Sequence, residues 1–242
     1  MHDDSEYFGR TALVAGDEMM SVLADTRVLV FGVGGVGSWC VEALARSATG
    51  HITIVDSDTV ATSNINRQMP ALSSTVGLAK VDVIARRIAD INPATHVTAL
   101  QKRYTPETAH EFDIETYDYV IDAIDSLPDK ADLILRCTDP GTAPRQGFFS
   151  SMGAARKLDP SKIAVAEFWK VEGCPLARAL RTRFRRSDIF PKRKFKCVFS
   201  PETISHRAEG PAGVNGTFAH STAMFGLTLA SLVITDIYRR FD

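Results

Sequence analysis

An α/β protein built on a doubly wound, mainly parallel sheet is predicted by three observations. Short apolar runs alternate with stretches of helical periodicity along residues 27–150, the pattern of strands joined by crossover helices. The first run, 28–31, passes directly into Gly32, Gly34, Gly35 and Gly37, after which Trp39, Cys40, Ala43 and Leu44 recur at three- and four-residue steps. Asp56 closes the next run, 51–55, about 20 residues on, where such folds place an acid beside a nucleotide.

The glycine turn carries a physical meaning. Gly32-x-Gly34-x-x-Gly37 lets the backbone turn sharply and approach a ligand closely. The helix that follows aims free N–H groups at whatever sits in the turn, which favours a phosphate. The pattern points to nucleotide binding and does not choose NAD over ATP.

Composition is that of an ordinary soluble chain: 242 residues, 45% hydrophobic and 24% charged. Cys40, Cys137, Cys174 and Cys197 form no CxxC pair, so no zinc is expected and a reducing cytoplasm is. The acidic start MHDDSEYFGR is no secretory signal. The net charge of −1 hides an asymmetry. Residues 1–150 hold 12 Lys+Arg against 21 Asp+Glu, a balance of −9, and residues 151–242 hold 16 against 8, a balance of +8. A basic second half suits a polyanion, and equally suits the acidic half of its own fold or of a second subunit.

In chain order, residues 13–23 read as a helix, with Arg10 in a polar lead-in. After the glycine turn the helix runs to about residue 48, followed by the strand ending at Asp56. The stretch SDTVATSNINRQMP reads as a loop that gathers Asn64, Asn66, Arg67 and Gln68. Residues 77–91 have helical spacing and stop at Asn92-Pro93, with Lys80 in the first turn. Strands are expected over 96–101, 117–123 and 142–148, and helices over 105–112 and 128–137. Asp122 and Asp125 fall at the carboxyl end of the strand 117–123, the edge at which open α/β sheets bind ligands. Beyond residue 150 the style changes. Segments 156–158 and 163–168 flank a turn and suggest a short hairpin, and 174–186 reads as a helix. From 178 to 196 there are nine basic residues and one acid, with Phe184, Phe190 and Phe195 interleaved. That mixture suits phosphates and unpaired bases, or a solvated loop with buried anchors. Residues 201–216 read as a loop. The apolar helix expected over 217–240 contains His220, Thr228 and Asp236, too polar for a membrane span.

GxGGVGS, Asp56, SNxNRQ, GxxK ending at Lys80, and DAIDS ending in Asp125 and Ser126 stand in one order and spacing. The set resembles the Rossmann-like adenylating family related to ubiquitin-activating enzymes, over about residues 7–150. The stretches TSNINRQMPAL, VGLAKVDVIARRIADINP, LDPSKI, PLARALRTRF and KCVFSPE are similar to one branch, the tRNA threonylcarbamoyladenosine dehydratases. The resemblance implies an ATP-binding adenylation domain over 1–150, and a substrate-loop and helix extension of the same domain over 151–242. It implies ATP and Mg2+. The threonine carboxylate of threonylcarbamoyladenosine in tRNA would attack ATP to form an acyl adenylate. The carbamoyl nitrogen would then close a ring, release AMP and remove one water overall.

The resemblance also assigns roles. Gly32, Gly34, Gly35 and Gly37 would pack against the nucleotide and Asp56 would hold its ribose. Asn64, Arg67 and Lys80 would contact phosphates, flanked by Asn66 and Gln68. Asp125, followed by Ser126, would take magnesium. Arg10 would reach the ATP of a neighbouring subunit, which implies a homodimer. Cys197 matches a branch cysteine and reads as a structural or substrate-loop residue, with sulfur handling as the alternative. GFFSSMGAA over 147–155 is less glycine-rich than the branch leads one to expect. The resemblance leaves room for an alkali metal ion at the C-terminal loops and for a sulfur-transfer protein as partner, and the basic segment 178–196 favours tRNA as the substrate over a carrier protein. The alternative reading is an adenylyltransferase for a ubiquitin-like sulfur carrier. A non-catalytic nucleotide-binding scaffold is opposed by Arg67, Lys80 and Asp125, and a nicotinamide dehydrogenase gives SNxNRQ no task.

Overall fold

The computed structural model describes residues 4–209 and 214–241, with side chains from residue 7 onward. A seven-stranded sheet forms its centre. Its strands are β1 Arg27–Phe31, β2 His51–Val55, β3 His96–Leu100, β4 Tyr119–Asp122, β5 Gly147–Ser151, β6 Ala164–Glu167 and β7 Lys196–Phe199. The order is β3-β2-β1-β4-β5-β7-β6. Every neighbouring pair is parallel except β6 with β7. The chain winds outward from β1 through β2 to β3, then returns to the other side of β1 with β4. The topological switch therefore lies between the carboxyl ends of β1 and β4, where Phe31 pairs with Asp122.

Helices cover both faces: α1 Asp4–Asp25, α2 Gly37–Ala45, α3 Lys80–Ile91, α4 Leu127–Thr138, α5 Pro175–Ser187 and α6 Ala219–Tyr238. One face buries Leu23 of α1, Leu44 of α2, Ile84 of α3 and Phe225 and Val233 of α6. The other buries Leu133 and Ile134 of α4 with Leu180 and Phe184 of α5. β1, β2 and β4 are nearly continuous apolar runs because both their faces are covered. Among the described residues only α6 has the length and composition of a membrane span. Eight of its residues are buried, however, and it packs across α2 and β5.

Several expected elements shift. The lead-in helix is longer than 13–23 and bends at Gly16, where φ is +72°. α3 starts at Lys80 because 77–79 pair with the loop after β2, through Gly77 N–H to Val60 O and a bridge between Thr59 and Ala79. The helix expected over 105–112 shrinks to a single 3-10 turn, Ala109–Glu111. The hydroxyls of Thr105 and Thr108 take up backbone N–H groups there and compete with a helix. The strand expected over 142–148 moves to β5, since residues 139–143 fold back on the end of α4 and Thr142 Oγ1 donates to Arg136 O. Residues 156–158 form no strand. Arg156 adopts a positive φ and exchanges backbone bonds with Ile204 and Gly216, so the antiparallel partner of β6 is β7 instead. Residues 210–213 of the loop expected over 201–216 lie outside the described residues.

α6 lies against α2 with no room to spare. A Cβ on Gly226 would stand 2.3 Å from Val36 O and 2.8 Å from Cys40 N. Gly226→Ala is expected to lower unfolding stability by about 2 kcal/mol through overpacking, read as a shifted urea midpoint at unchanged slope.

Candidate active site

The site forms where β1 and β4 end. Gly32 turns the chain at φ +82°, where a Cβ would stand 2.8 Å from Ala123 O, and a Cβ on Gly37 would fall 1.8 Å from Gly32 O. Those two glycines allow β1 to fold directly into α2. Gly34 and Gly35 sit on the outer side of the turn. A Cβ on Gly34 would stand 3.6 Å from Gln68 Nε2, and one on Gly35 3.3 Å from Thr222 Cγ2.

Asp56 faces this turn. Its Oδ2 accepts from Val33 N at 2.8 Å and its Oδ1 from Asp58 N at 2.9 Å. Lys80, at the start of α3, reaches into the same space with its side chain 5% exposed. Its Nζ lies 2.8 Å from Asp58 Oδ2 and 4.0 Å from Asp56 Oδ1. A buried ammonium held by one carboxylate at its own rim can exchange that partner for an incoming phosphate.

The loop after β2 closes over the turn. Asn64 Oδ1 accepts from Ala61 N at 3.1 Å, and Asn66 Nδ2 donates to Thr217 O at 3.4 Å. Arg67 Nη1 donates to Ser63 O and to Asn66 Oδ1, both at 2.9 Å. The Arg67 carbonyl accepts from Trp39 Nε1 at 3.3 Å and Thr222 Oγ1 at 3.4 Å, and Ser38 Oγ ties the glycine turn to Met69 N. Gln68 is 8% exposed, and its Oε1 has no hydrogen-bond partner. A buried acceptor left open beside a glycine turn fits a ligand that donates from a hydroxyl or an amino group.

Across the switch point stands Asp125, exposed between β4 and α4, with Ser126 at the position just before α4. Below it, Asp122, expected from the sequence at the ligand-binding edge, is instead buried in a pair with Lys130, a partner the sequence analysis did not single out. Asp122 and Lys130 are fully buried, with Lys130 Nζ 2.8 Å from Asp122 Oδ2. Ser150 Oγ donates to Asp122 at 2.6 Å, Ile124 N donates to it at 3.1 Å, and Lys130 Nζ donates to Ile124 O at 2.9 Å. The loop that carries Asp125 is thus clamped from below. Leu127, Lys130, Ile134 and Cys137 share one apolar face of α4, so a lysine on that stripe was the available signal. Asp58 and Arg103 were also passed over. Arg103 Nη2 bonds Asp129 Oδ2 at 3.0 Å, with its guanidinium pKa raised chiefly by that bond and further by Asp58 and Asp125 nearby.

The structure brings Gly32, Gly34, Gly35, Gly37, Asp56, Asn64, Asn66, Arg67, Gln68 and Lys80 together around one turn, with Asp125 and Ser126 on the facing loop. Arg10 is exposed on α1, ahead of the bend at Gly16. A lone exposed carboxylate fits magnesium, which commonly takes one or two carboxylates along with phosphates. No cluster of three or more candidate metal ligands occurs among the described residues. In the C-terminal extension, carbonyl oxygens of the kind an alkali ion needs, Ser200 O and Glu202 O, accept from the buried Lys157 ammonium. Burial pushes that ammonium's pKa down. Cys197 lies buried in β7 with its thiol pKa pushed up by burial. Of the three interleaved phenylalanines, Phe184 and Phe195 are core residues and only Phe190 is exposed.

Residues 8–239 match the model of the ThiF family, and the chain belongs to that family. It is 44% identical over 196 residues to tRNA threonylcarbamoyladenosine dehydratase of Bacillus subtilis (strain 168), covering 81% of this chain and 75% of the relative. It is 38% identical over 247 residues to the enzyme of that name from Escherichia coli (strain K12), covering 93% of this chain and 90% of the relative. The crystal structure of E. coli tRNA N6-threonylcarbamoyladenosine dehydratase in complex with ATP matches with a TM-score of 0.87 at 37% identity, covering 98% of this chain and 96% of the other.

Lys130→Met leaves the Asp122 carboxylate buried without its cation and is expected to cost about 3 kcal/mol or more of stability. Asp122→Asn combined with Lys130→Met should recover part of that loss in urea unfolding. All four cysteines are free and buried, so native protein should react slowly with Ellman's reagent and yield four thiols only after unfolding. A fast native thiol that Cys197→Ser removes would mark Cys197 as reactive.

Proposed function

We propose that this protein is an ATP-dependent tRNA threonylcarbamoyladenosine dehydratase. What carries the reading is the convergence of Asp56, the 64–68 loop, Lys80 and Asp125 on the switch-point turn. It occurs in a chain that aligns over 98% of its length with a dehydratase bound to ATP. Residues 1–150 supply the adenylation unit, and 151–242 are its substrate-loop extension.

The chemistry follows from charge. A carboxylate is a poor acyl donor because its leaving group is oxide. Attack of the threonine carboxylate oxygen on the α-phosphorus of ATP breaks the bond to pyrophosphate and leaves the acyl group on AMP. The carbamoyl nitrogen then bonds to the acyl carbon, AMP departs with the original oxygen, and the nitrogen's proton passes to solvent. One water is lost overall. Both reacting groups sit on one nucleoside, so ring closure is intramolecular. Asp56 accepts from the ribose hydroxyls. Arg67 and Lys80 offset charge growing on the transferring phosphate. Asn64, Asn66 and Gln68 line the nucleotide, and Ser126 borders it. Asp125 would hold a magnesium ion, which when bound would supply positive charge to the phosphates. Arg10 reaches the ATP of the other subunit of a homodimer, presented on a helix whose neighbours Leu13 and Val14 are 88% and 75% exposed. The basic segment 178–196 meets tRNA, and the protein works in the cytoplasm. A sulfur-transfer protein remains a candidate partner. The alternative, adenylating a sulfur-carrier protein, is outweighed by near-full-length similarity to tRNA-modifying enzymes.

The deciding experiment incubates the protein with ATP, magnesium and tRNA bearing threonylcarbamoyladenosine, then weighs the digested nucleosides. A product lighter by one water, with AMP formed, is expected. No mass change, with AMP transferred to an added sulfur carrier, would favour the alternative. Lys80→Ala and Asp125→Ala should abolish turnover with unchanged circular dichroism, and wild-type rates in either would remove that residue from the site. If Arg10 acts across a dimer, mixed and re-equilibrated Arg10→Ala and Lys80→Ala subunits should recover about a quarter of wild-type turnover, since half the pairs then hold one complete site. No recovery on mixing would place Arg10 outside the neighbour's site.

A further inference from the structure

An open groove of about 790 Å3 runs between α4 and α5. Its upper end is Leu127 and Pro128, immediately after Asp125 and Ser126. Both helices descend from the active-site edge of the sheet: α4 follows β4, and Gly173 just before α5 packs on Pro201 just after β7. The groove therefore leads from the active site toward the opposite edge, ending at Ser187 and Ile189.

Its floor is apolar, with Ala131, Leu135 and Ala179, and its rim carries Arg178, Arg183 and Arg186. These arginines share one side of α5 and span about 12 Å of helix axis. All three are exposed, and none of their guanidiniums makes a hydrogen bond or ion pair among the described residues. Arg181, one turn away, behaves differently: it donates to Phe168 O at 3.1 Å and Val171 O at 2.9 Å and belongs to the fold. The acid in the groove, Asp132, is already engaged by Tyr104 and Arg136. At the foot of α5 the exposed rings of Trp169 and Phe190 lie 6.2 Å apart.

We propose that the α4–α5 groove holds a single-stranded stretch of the tRNA as it leaves the active site. Its phosphates lie along Arg178, Arg183 and Arg186, and a base meets the Trp169–Phe190 pair. The inference rests on the tRNA reading above. Charge complementarity selects the occupant: three unpaired guanidiniums over an apolar floor match a strand with a phosphate edge and unstacked bases. The basic second half then acts through one face of one helix, not as a diffuse loop.

The test compares the whole chain with Arg178→Gln/Arg183→Gln/Arg186→Gln, with Arg86→Gln, at an exposed arginine of α3, as the charge control. The triple variant should bind tRNA about ten-fold or more weakly with its ATP affinity unchanged. Its plot of log affinity against log salt should flatten by roughly one unit per lost phosphate contact. tRNA should quench Trp169 emission in the wild type and not in Trp169→Phe. Unchanged tRNA affinity, an equal loss in Arg86→Gln, or a change of oligomeric state on sedimentation overturns the groove. An absent quench overturns the aromatic contact. If the wild type itself fails to dehydrate the tRNA nucleoside, the failure lies in the function proposed above, since groove and turnover are measured separately.

Discussion

The buried ion pair of Asp122 and Lys130 is the constraint on which the site depends. Removing both charges from water costs several kcal/mol each, and the surroundings offset that with a hydroxyl from β5, a backbone N–H and a carbonyl. The pair joins the ends of β4 and β5, the loop between β4 and α4, and the first turns of α4. Asp125 is exposed, yet it projects from a loop whose floor is locked. The upper wall of the groove beside α5 is set by the same clamp.

The glycine turn imposes a second constraint of a different kind. Gly37 meets the carbonyl of Gly32 at a distance no side chain would allow, so β1 can hand the chain to α2 within a few residues. α6 exploits the same closeness from outside, packing Gly226 on Val36 and Cys40. Its Thr222 touches the Arg67 carbonyl and the space above Gly35. The C-terminal helix, far away in sequence, thus shapes the roof of the glycine turn. Lys157 binds the loop after β7 into the same extension, its ammonium filling a nest of carbonyls. Charge within the site is balanced before substrate arrives, with Lys80 shared by Asp58 and Asp56 and Arg103 held by Asp129. Arg67, by contrast, donates to the Ser63 carbonyl and the Asn66 amide oxygen.

Much of the first 150 residues was legible because its signals are local. Apolar runs covered on both sides, a glycine-dense turn and an acid at a strand end are all patterns of neighbours in sequence. The errors arose where side-chain and loop hydrogen bonds compete for the backbone, two of them local and one long-range. Thr105 and Thr108 turned an expected helix into a 3-10 turn, and the fold-back at 139–143 displaced β5. Arg156 bonded the far loop instead of pairing with 163–168. The aromatic spacing at 184–195 suggested stacking, yet two of its three rings are core.

The sequence by itself determined the strand–turn–helix at residues 27–45, the alternation that makes a parallel sheet, the gathering of Asn64, Asn66, Arg67 and Gln68 in one loop, and the charge asymmetry of the two halves. These follow from hydrophobic periodicity and backbone sterics, which act over a few residues. Only the tertiary structure decided that Lys130 lies under Asp125, that Lys80 rests on Asp58, that Gln68 keeps an open acceptor beside Gly34, and that three of the nine basic residues in 178–196 face a groove while Arg181 is absorbed into the fold. Desolvation and side-chain hydrogen bonding settle such pairings. Both depend on which surfaces the folded chain brings together, and no local pattern encodes that.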